Sequence, residues 1–388
     1  MKRFLIGVNI MFRTTKLLLI PVLASVSALV IILCILFFVT SNTDDNEIVT
    51  VYCVTKVKRD SPSKPLTQYT YDEKGRILEV INSEGKTSSR YSYDKYGNPT
   101  HFPYPGGGYA AATYDKNGNI LSLKRYYSDI TKPVMENIYM YDRKGNLIET
   151  VSYSNGAPSI TERNTYNIYG DLITRSREYA SNNSVPNEYI RAEYDKNRNM
   201  IHFKMYFGEL LRIHEEYAYD TAGRIIALTQ IRDNKIASKR EFVYDVSGRM
   251  IQMSTYSPEQ SHAELPSFIV DFEYDLLGNL VKRTTTENGK QYISKWIYDS
   301  KGNLTSYDNG SSLTKWYYDS NGNIVKEESI YNYNNHVSST EYTYEAFQVT
   351  RKEADFIKSQ QEDIISLPNW DETPKTYLEI LEMQLIPE

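Results

Sequence analysis

Residues 296–304 read Trp-Ile-Tyr-Asp-Ser-Lys-Gly-Asn-Leu, and this order of residues predicts a β-hairpin. Trp296 and Tyr298 stand two positions apart, so their rings project from the same face of a strand. Asp299 follows at the strand end, where its carboxylate can accept a backbone N–H two residues later and start a turn. Gly302 then supplies a positive φ without steric cost, and the next aliphatic residue begins the return strand.

The same motif, Tyr-Asp-x-x-Gly-Asn/Arg-aliphatic, recurs through most of the chain at intervals of 20 to 30 residues. A period in this range is typical of a repeat architecture. Eleven copies, some with departures from the motif, begin at Tyr71, Tyr93, Tyr114, Tyr141, Tyr166, Tyr194, Tyr219, Tyr244, Tyr274, Tyr298 and Tyr318, and a degenerate copy begins at Tyr344.

Turns of a second kind lie between the copies, so the strands should run back and forth as an antiparallel meander. These second turns include residues 84–85, 155–156, 233–234, 288–289 and 309–310. About two strands per copy predict more than twenty strands, and a twisted sheet of that size rarely stays open and flat. We therefore expect an all-β fold in which residues 68–349 form a repeat sheet coiled into a spiral, a shell or a curved ribbon.

Three departures from the motif predict local changes. Arg198 stands where glycine is expected, so that turn should be strained or of another type. Asn167 replaces the aspartate and should keep the turn, because asparagine can make the same local hydrogen bonds. Pro99 replaces the aliphatic residue, and further prolines and three glycines follow it, which predicts an edge or a break in the sheet.

An apolar segment precedes the repeats. Residues 17–39 are apolar except for two serines and one proline, and a helix of this length spans the ~30 Å hydrocarbon layer. Basic residues precede the segment and acidic residues follow it. This pattern predicts a cytoplasmic stub at 1–16, a single transmembrane signal anchor, a linker at 40–67, and an extracytoplasmic remainder in the periplasm or at the cell surface. A cleaved secretory signal is the alternative, although its apolar core is normally only about 7–15 residues long.

Residues 350–388 lose the period-two pattern and predict a helical tail. Thr373-Pro374 is a good helix start. One face of that helix would carry Tyr377, Leu378, Leu381 and Leu385. We interpret the tail as a cap over the last open strand, because an open edge invites aggregation. A helix that binds a partner is the alternative.

Composition and charge restrict the partners. The 388 residues include 35 Tyr, 3 Trp and 2 Cys, with a net charge of −5. Four basic residues precede the first acidic one, so the remainder carries 40 basic and 49 acidic residues, a net charge of −9. We therefore expect no binding to nucleic acid and no attraction to an anionic surface. Two cysteines give no disulfide framework, and Cys53 is interpreted as a small buried hydrophobe, with pairing between chains as the alternative.

The sequence shows no constellation of residues for catalysis or metal binding. Its five histidines are scattered and form no His-x-x-x-His or Glu-x-x-His pair. Residues 115–119 and 319–323 place oxygens at alternating positions, as Ca²⁺ loops do, but the equivalent third position varies freely in the other copies. We expect no enzyme, no cofactor and no metal. A hydrolase, the alternative, would need two close carboxylates in a deep pocket.

The aromatic side chains are the best candidates for contacting a ligand. Ladders of rings on a sheet can stack against sugars, or they can hold the sheet together as cross-strand pairs, which is the simpler interpretation. The candidate stacking residues are Tyr91, Tyr217, Trp296 and Trp316.

The repeated Tyr-Asp-x-x-Gly-Asn/Arg-Leu/Ile motif resembles the YD repeat, also called the RHS repeat, over residues 68–349. Members of that family are mainly bacterial surface or secreted proteins. In the large members the repeats wind into a hollow β-shell that encloses a C-terminal toxin, and carbohydrate binding and cell–cell contact are attributed to others. This chain has no Asp-Pro-x-Gly-type core boundary and only 39 residues after Val349, so the resemblance does not imply a toxin activity.

Together, the apolar segment and the resemblance imply a membrane-anchored, extracytoplasmic scaffold for binding or cell-surface interaction, with a glycan or a surface protein as its ligand. The alternative is an accessory or remnant of an RHS-type toxin system that carries no cargo.

Overall fold

The structure is a computed structural model that describes residues 47–60, 66–103, 108–127, 131–180, 185–257, 265–362 and 364–365. The predicted stub at 1–16, the predicted transmembrane segment at 17–39 and the predicted helix after Thr373 lie outside the described residues. Those three interpretations therefore stay predictions.

The described residues form one antiparallel sheet of 25 strands and one helix, α1 (Arg351–Glu362). The prediction of an all-β meander with more than twenty strands is confirmed. The strands are β1 (Ile48–Arg59), β2 (Leu66–Tyr71), β3 (Ile77–Ile81), β4 (Thr87–Arg90), β5 (Ser92–Tyr93), β6 (Pro99–Pro103), β7 (Tyr109–Tyr114), β8 (Ile120–Tyr126), β9 (Met135–Tyr141), β10 (Leu147–Ser154), β11 (Ala157–Tyr166), β12 (Leu172–Tyr179), β13 (Glu188–Tyr194), β14 (Met200–Phe207), β15 (Leu210–Tyr219), β16 (Ile225–Arg232), β17 (Lys235–Tyr244), β18 (Met250–Tyr256), β19 (Phe268–Tyr274), β20 (Leu280–Glu287), β21 (Lys290–Tyr298), β22 (Leu304–Asp308), β23 (Ser312–Tyr318), β24 (Ile324–Tyr331) and β25 (His336–Thr350).

The first and last strands pair with each other, so the sheet returns to its starting point as a ring. β1 pairs with β2 on one side and with β25 on the other, both antiparallel. The β1–β25 pairing runs from Ile48 opposite Thr350 to Arg59 opposite Thr340. Elsewhere each strand pairs with the strands before and after it, and β4 and β5 act as one strand interrupted at Tyr91. The coiling predicted from the number of strands thus takes the form of a ring.

A β-bulge lies at the same place in every copy of the motif. In each of the eleven motif copies the register shifts by one residue beside the motif tyrosine, as between Thr70 and Tyr71. A bulge bends its strand and increases the local right-handed twist. The eleven bulges thus lie at equivalent positions beside the motif turns, all at the same end of the strands.

Closure gives the sheet two different faces. On β14 the alternate residues Phe203 and Met205 are buried, at 0% and 8% exposure, whereas His202 and Lys204 are partly exposed. We call the buried side the enclosed face and the other side the outer wall. The largest hydrophobic cluster lies on the enclosed face between Leu172 and Phe272.

Helix α1 packs across the place where the two ends of the sheet meet. Its start is a capping box, in which the Thr350 hydroxyl and the Glu353 carboxylate each bond the other residue's backbone N–H. Ile357 is fully buried in a cluster with Val51, Cys53 and other residues of β1 and β25. The prediction that the C-terminal tail begins with helical structure is confirmed by α1. The helix does not cover an open strand edge, because β1 pairs with that edge of β25, and α1 packs on a face of the junction instead.

Two further parts of the chain differ from what the sequence predicted. β1 lies inside residues 40–67, the predicted linker, so at least residues 48–59 of that segment belong to the sheet. The predicted edge or break at Pro99 was wrong, because β6 begins at Pro99 and pairs with both β5 and β7. The first position of a strand tolerates proline, which lacks a backbone N–H.

Candidate functional site

The motif tyrosines hold successive repeats together. Each hydroxyl donates a hydrogen bond of 2.5 to 3.1 Å to a backbone carbonyl in the preceding repeat, at the residue that starts its return strand. Tyr71 instead reaches Val54 in β1, and the degenerate copy's Tyr344 reaches Ile324. Burial raises the pKa of Tyr318 to about 12, which keeps this hydroxyl protonated as a donor. These tyrosines therefore serve the architecture.

The motif aspartates close the turns that follow the tyrosines. Asp115 Oδ1 accepts the backbone N–H groups of Asn117 and Asn119 at 2.8 and 2.9 Å, and its Oδ2 accepts the Asn119 side-chain amide at 2.8 Å. Gly118 has a φ of 86°. The Asn119 amide is the main cause that lowers the pKa of Asp115. Turn chemistry thus explains the oxygens that resemble a Ca²⁺ loop.

The two turns that depart from the motif keep its geometry. Arg198 adopts a φ of 69° and its N–H bonds the Asp195 carbonyl at 3.0 Å, so the turn is unchanged and the residue takes a strained conformation. Asn167 accepts the N–H groups of Tyr169 and Asp171, as predicted. The sequence did not reveal that Arg198 forms an ion pair with Asp171 in the neighbouring turn. Two departures in consecutive copies were the only available signal.

Most of the predicted stacking residues are buried. Tyr217, Trp296 and Trp316 are 6%, 2% and 4% exposed, so the structure contradicts their assignment to a ligand. They lie on the enclosed face with Phe242 and similar residues, where their rings pack against the sheet. Tyr91 is half-buried at the interruption between β4 and β5. The structure does not bring these four residues together into one site.

The tips of the eleven motif turns form one edge of the ring, which we call the YD rim. It consists of turns 72–76, 94–98, 115–119, 142–146, 167–171, 195–199, 220–224, 245–249, 275–279, 299–303 and 319–323. The two central positions of each turn point away from the sheet. They carry one acidic residue, Glu73, and seven basic ones: Lys74, Lys95, Lys116, Arg143, Lys144, Lys196 and Lys301.

Large apolar side chains are also exposed on the YD rim. Val246 and Leu276 are fully exposed, and the other four are between 64% and 78% exposed. The six residues are Tyr96, Ile168, Tyr169, Val246, Leu276 and Leu277. The central positions of the turns therefore combine basic and exposed apolar side chains. Over the whole turns, 12 acidic and 11 basic residues give the YD rim a net charge of −1.

The described chain begins on the same side of the ring as the YD rim. β2 runs toward turn 72–76, and β1 is antiparallel to β2, so the start of β1 lies at the end where that turn lies. Glu47 is held there by Arg351, through a backbone hydrogen bond of 2.8 Å and an ion pair of 2.6 Å. The first described residue therefore lies on the side of the YD rim.

A cluster of histidines lies on the outer wall. His202 on β14 faces Glu216 on β15 directly, and His214 lies two residues before Glu216 on the same face. One side-chain donor atom from each residue lies within 4.8 Å of the other two. Burial and the nearby Lys204 lower the pKa of His214. Sequence patterns did not reveal this cluster, because His202 comes from the strand that pairs with the one carrying His214 and Glu216.

No helix in the part of the chain that the structure describes has the length and hydropathy needed to cross a bilayer.

No curated protein matches the chain. A protein-family model described as Teneurin YD-shell matches residues 53–125. A ring of antiparallel hairpins joined by tyrosine hydrogen bonds defines the class as a β-repeat shell. The family-model match covers about a fifth of the chain and agrees with the resemblance of the repeated motif to the YD repeat, also called the RHS repeat.

Several solved structures are similar to this chain at low sequence identity. A crystal structure of TcdB2-TccC3-TEV is 14% identical, with a TM-score of 0.38, over 68% of this chain and 15% of that one. A Tc holotoxin pore from Photorhabdus luminescens is 12% identical, with a TM-score of 0.33, over 74% of this chain and 19% of that one. A porin-like protein from Bacteroides uniformis is 10% identical, with a TM-score of 0.27, over 54% and 96% of the two chains. This chain thus spans under a fifth of the first two of these chains, and each TM-score is too low to bear on function.

Proposed function

We propose that the protein is a membrane-anchored, extracytoplasmic YD-repeat scaffold whose YD rim faces the bilayer and whose remaining surface binds a partner. The observation that carries this proposal is the place where the chain joins the ring. Glu47 lies on the side of the YD rim, and only seven residues, 40–46, separate it from the apolar segment 17–39. Seven extended residues reach at most about 25 Å, so an anchor at 17–39 holds the ring close to the membrane with this side inward.

The composition of the YD rim supports this orientation. Leu276 and Val246 can enter the interface as apolar side chains do, and the rim, with 12 acidic and 11 basic residues, carries almost no net charge to repel anionic headgroups. The ectodomain is acidic as a whole, with a net charge of −9 beyond the first sixteen residues. The YD rim contributes only −1 to this total, so nearly all of the net negative charge lies on the rest of the ectodomain, away from the proposed membrane side.

The partner then contacts the outer wall or the rim opposite the bilayer. Burial of Tyr217, Trp296 and Trp316 removes them as sugar-stacking residues. Half-buried rings remain on the outer wall, where His101, Tyr109 and Tyr126 stack with centroid separations of 4.2 and 4.6 Å. A glycan or a surface protein remains the proposed ligand, to be sought by glycan array and by pull-down with the full chain.

Anchoring is tested by alkaline extraction of membranes from cells that express the full chain. An integral anchor at 17–39 keeps the chain in the membrane pellet, with the repeats digested by protease added from outside. Release of the whole chain into the supernatant, or a protected C-terminus, contradicts the proposal.

Orientation is tested separately by fluorescence in anionic vesicles. A dye on Leu276→Cys, at the YD rim, should be quenched by a headgroup-linked quencher more strongly than a dye on Tyr333→Cys. Tyr333 is a matched control, because it is 82% exposed in the turn between β24 and β25 at the opposite rim. Equal quenching, or stronger quenching at position 333, contradicts the orientation.

A further inference from the structure

Three potential metal ligands converge on the outer wall, on the hairpin formed by β14 and β15. His202 Nδ1 lies 3.8 Å from Glu216 Oε1, and His214 Nε2 lies 3.6 Å from the same oxygen. The two imidazole rings are 6.0 Å apart between centroids. Because the three residues stand on two directly paired strands, the backbone fixes their spacing.

Ordinary hydrogen bonding does not explain this arrangement. Both distances to Glu216 exceed the length of a hydrogen bond. Among the described residues, His202 Nδ1 and His214 Nε2 have no hydrogen-bond partner, and both atoms are shielded from solvent. Buried polar atoms almost always have a partner. A cation between the three side chains would give both nitrogens a partner at once.

We propose that His202, His214 and Glu216 bind a divalent first-row transition metal ion, with Zn²⁺ as the fitting ion. Imidazole nitrogens and a carboxylate oxygen are the ligands such ions take, at about 2.0–2.2 Å. Ligand atoms of a tetrahedral zinc site lie roughly 3.3 Å from each other, so the observed separations close with small side-chain movements. The three residues lie on the outer wall, so metal binding there does not require the proposed membrane anchor.

Two neighbouring charged residues have opposite effects on the affinity of the site for a cation. Lys204 faces His214 across the strand pair and opposes a cation. Glu193 faces His202 from β13 and favours a cation. Three protein ligands leave a fourth position open to solvent, which water or a residue of a bound partner would fill.

The test is isothermal titration of the chelator-treated full chain, in detergent, with Zn²⁺ alone. We expect one ion per chain, and a loss of affinity of more than about tenfold in both His202→Asn and Glu216→Gln. His336→Gln is the matched control, since this histidine lies on β25 and stacks with Tyr331; it should bind as the wild type does. Lys204→Gln should bind a few-fold more tightly, because a repelling charge is removed.

Folding is checked by circular dichroism without metal, and Glu216→Gln keeps the test usable if a histidine variant does not fold, since Glu216 is partly exposed. Absence of zinc binding by the wild type overturns the proposal. So does equal binding by the wild type and Glu216→Gln, which would place the ion elsewhere.

Discussion

Each motif tyrosine and aspartate uses its polar atoms inside the repeat array. Tyr318, for example, donates its hydroxyl to the Leu304 carbonyl at 2.7 Å, and this bond crosses from one repeat to the one before it. Phenylalanine would fill the same space without the bond. The recurrence of tyrosine therefore reflects a hydrogen bond repeated in every copy, and it carries no information about a ligand.

Replacing a motif tyrosine should weaken the array by a predictable amount. Tyr318→Phe leaves the Leu304 carbonyl without this donor, so we expect a loss of about 0.5–1.5 kcal/mol in the free energy of unfolding. The measurement is denaturant unfolding of the purified chain. Tyr292→Phe is the control, because Tyr292 is 58% exposed and should lose almost nothing. Equal effects of the two substitutions contradict the assigned role of the motif hydroxyl.

At the scale of elements, helix α1 fastens the junction between β1 and β25. The Gln361 side chain is buried, and its Oε1 accepts the N–H of Val54 at 2.7 Å beside the bulge in β1. The Glu353 carboxylate accepts hydrogen bonds from Lys74 and Thr350. These bonds, of which the one from Lys74 has the larger effect, lower the pKa of Glu353 to about 2. One helix thus contacts the first strand, the last strand and the first motif turn.

Removing the Gln361 contact should destabilise the junction. Gln361→Ala leaves a buried N–H without a partner, which costs about 1–3 kcal/mol, and hydrogen exchange at Val54 should become faster than in the wild type. Lys358→Ala, on the exposed side of α1, is the control and should leave exchange in β1 unchanged. Unaltered exchange at Val54 in the Gln361 variant would show that α1 does not hold the junction.

The whole molecule depends on ionised turn aspartates, which makes it sensitive to acid. The pKa values of Asp115, Asp142 and Asp299 lie below the ordinary value of 3.8. The main cause in each turn is a hydrogen bond that the asparagine side chain four residues later donates to the carboxylate. A carboxyl with a lowered pKa in the folded state contributes its full stability above the unfolded pKa and loses it as the pH falls through the folded pKa.

We therefore expect the thermal midpoint to fall steeply below about pH 4. Asp115→Asn should show a shallower acid dependence, because asparagine keeps the turn, as Asn167 does, without titrating. The measurement is the thermal midpoint at a series of pH values for both proteins. A wild-type midpoint that stays constant or rises down to pH 3 contradicts this expectation.

The sequence predicted the local structure well, because the Tyr-Asp-x-x-Gly pattern is complete within nine residues, as in 296–304. It predicted the meander, since alternation with a period of two residues identifies the strands of each copy. It could not predict that β1 pairs with β25, because facing residues such as Thr50 and Gln348 are 298 positions apart in the sequence and no local pattern connects them. The same limit explains the errors at Trp296 and Trp316, whose burial depends on ring closure, and the missed His202–Glu216 pairing across two strands.

The most direct test of the ring is a disulfide across the junction of its two ends. Thr50 faces Gln348 in the β1–β25 register, and their side chains are 2.9 Å apart, so Thr50→Cys with Gln348→Cys should form an intramolecular disulfide under mild oxidation. Thr50→Cys with Thr340→Cys is the control, because Thr340 faces Arg59 at the far end of β1. We predict that mass spectrometry finds the 50–348 cross-link in monomeric chains and not the 50–340 one. Absence of the 50–348 cross-link, or its formation only between chains, would contradict the closed ring.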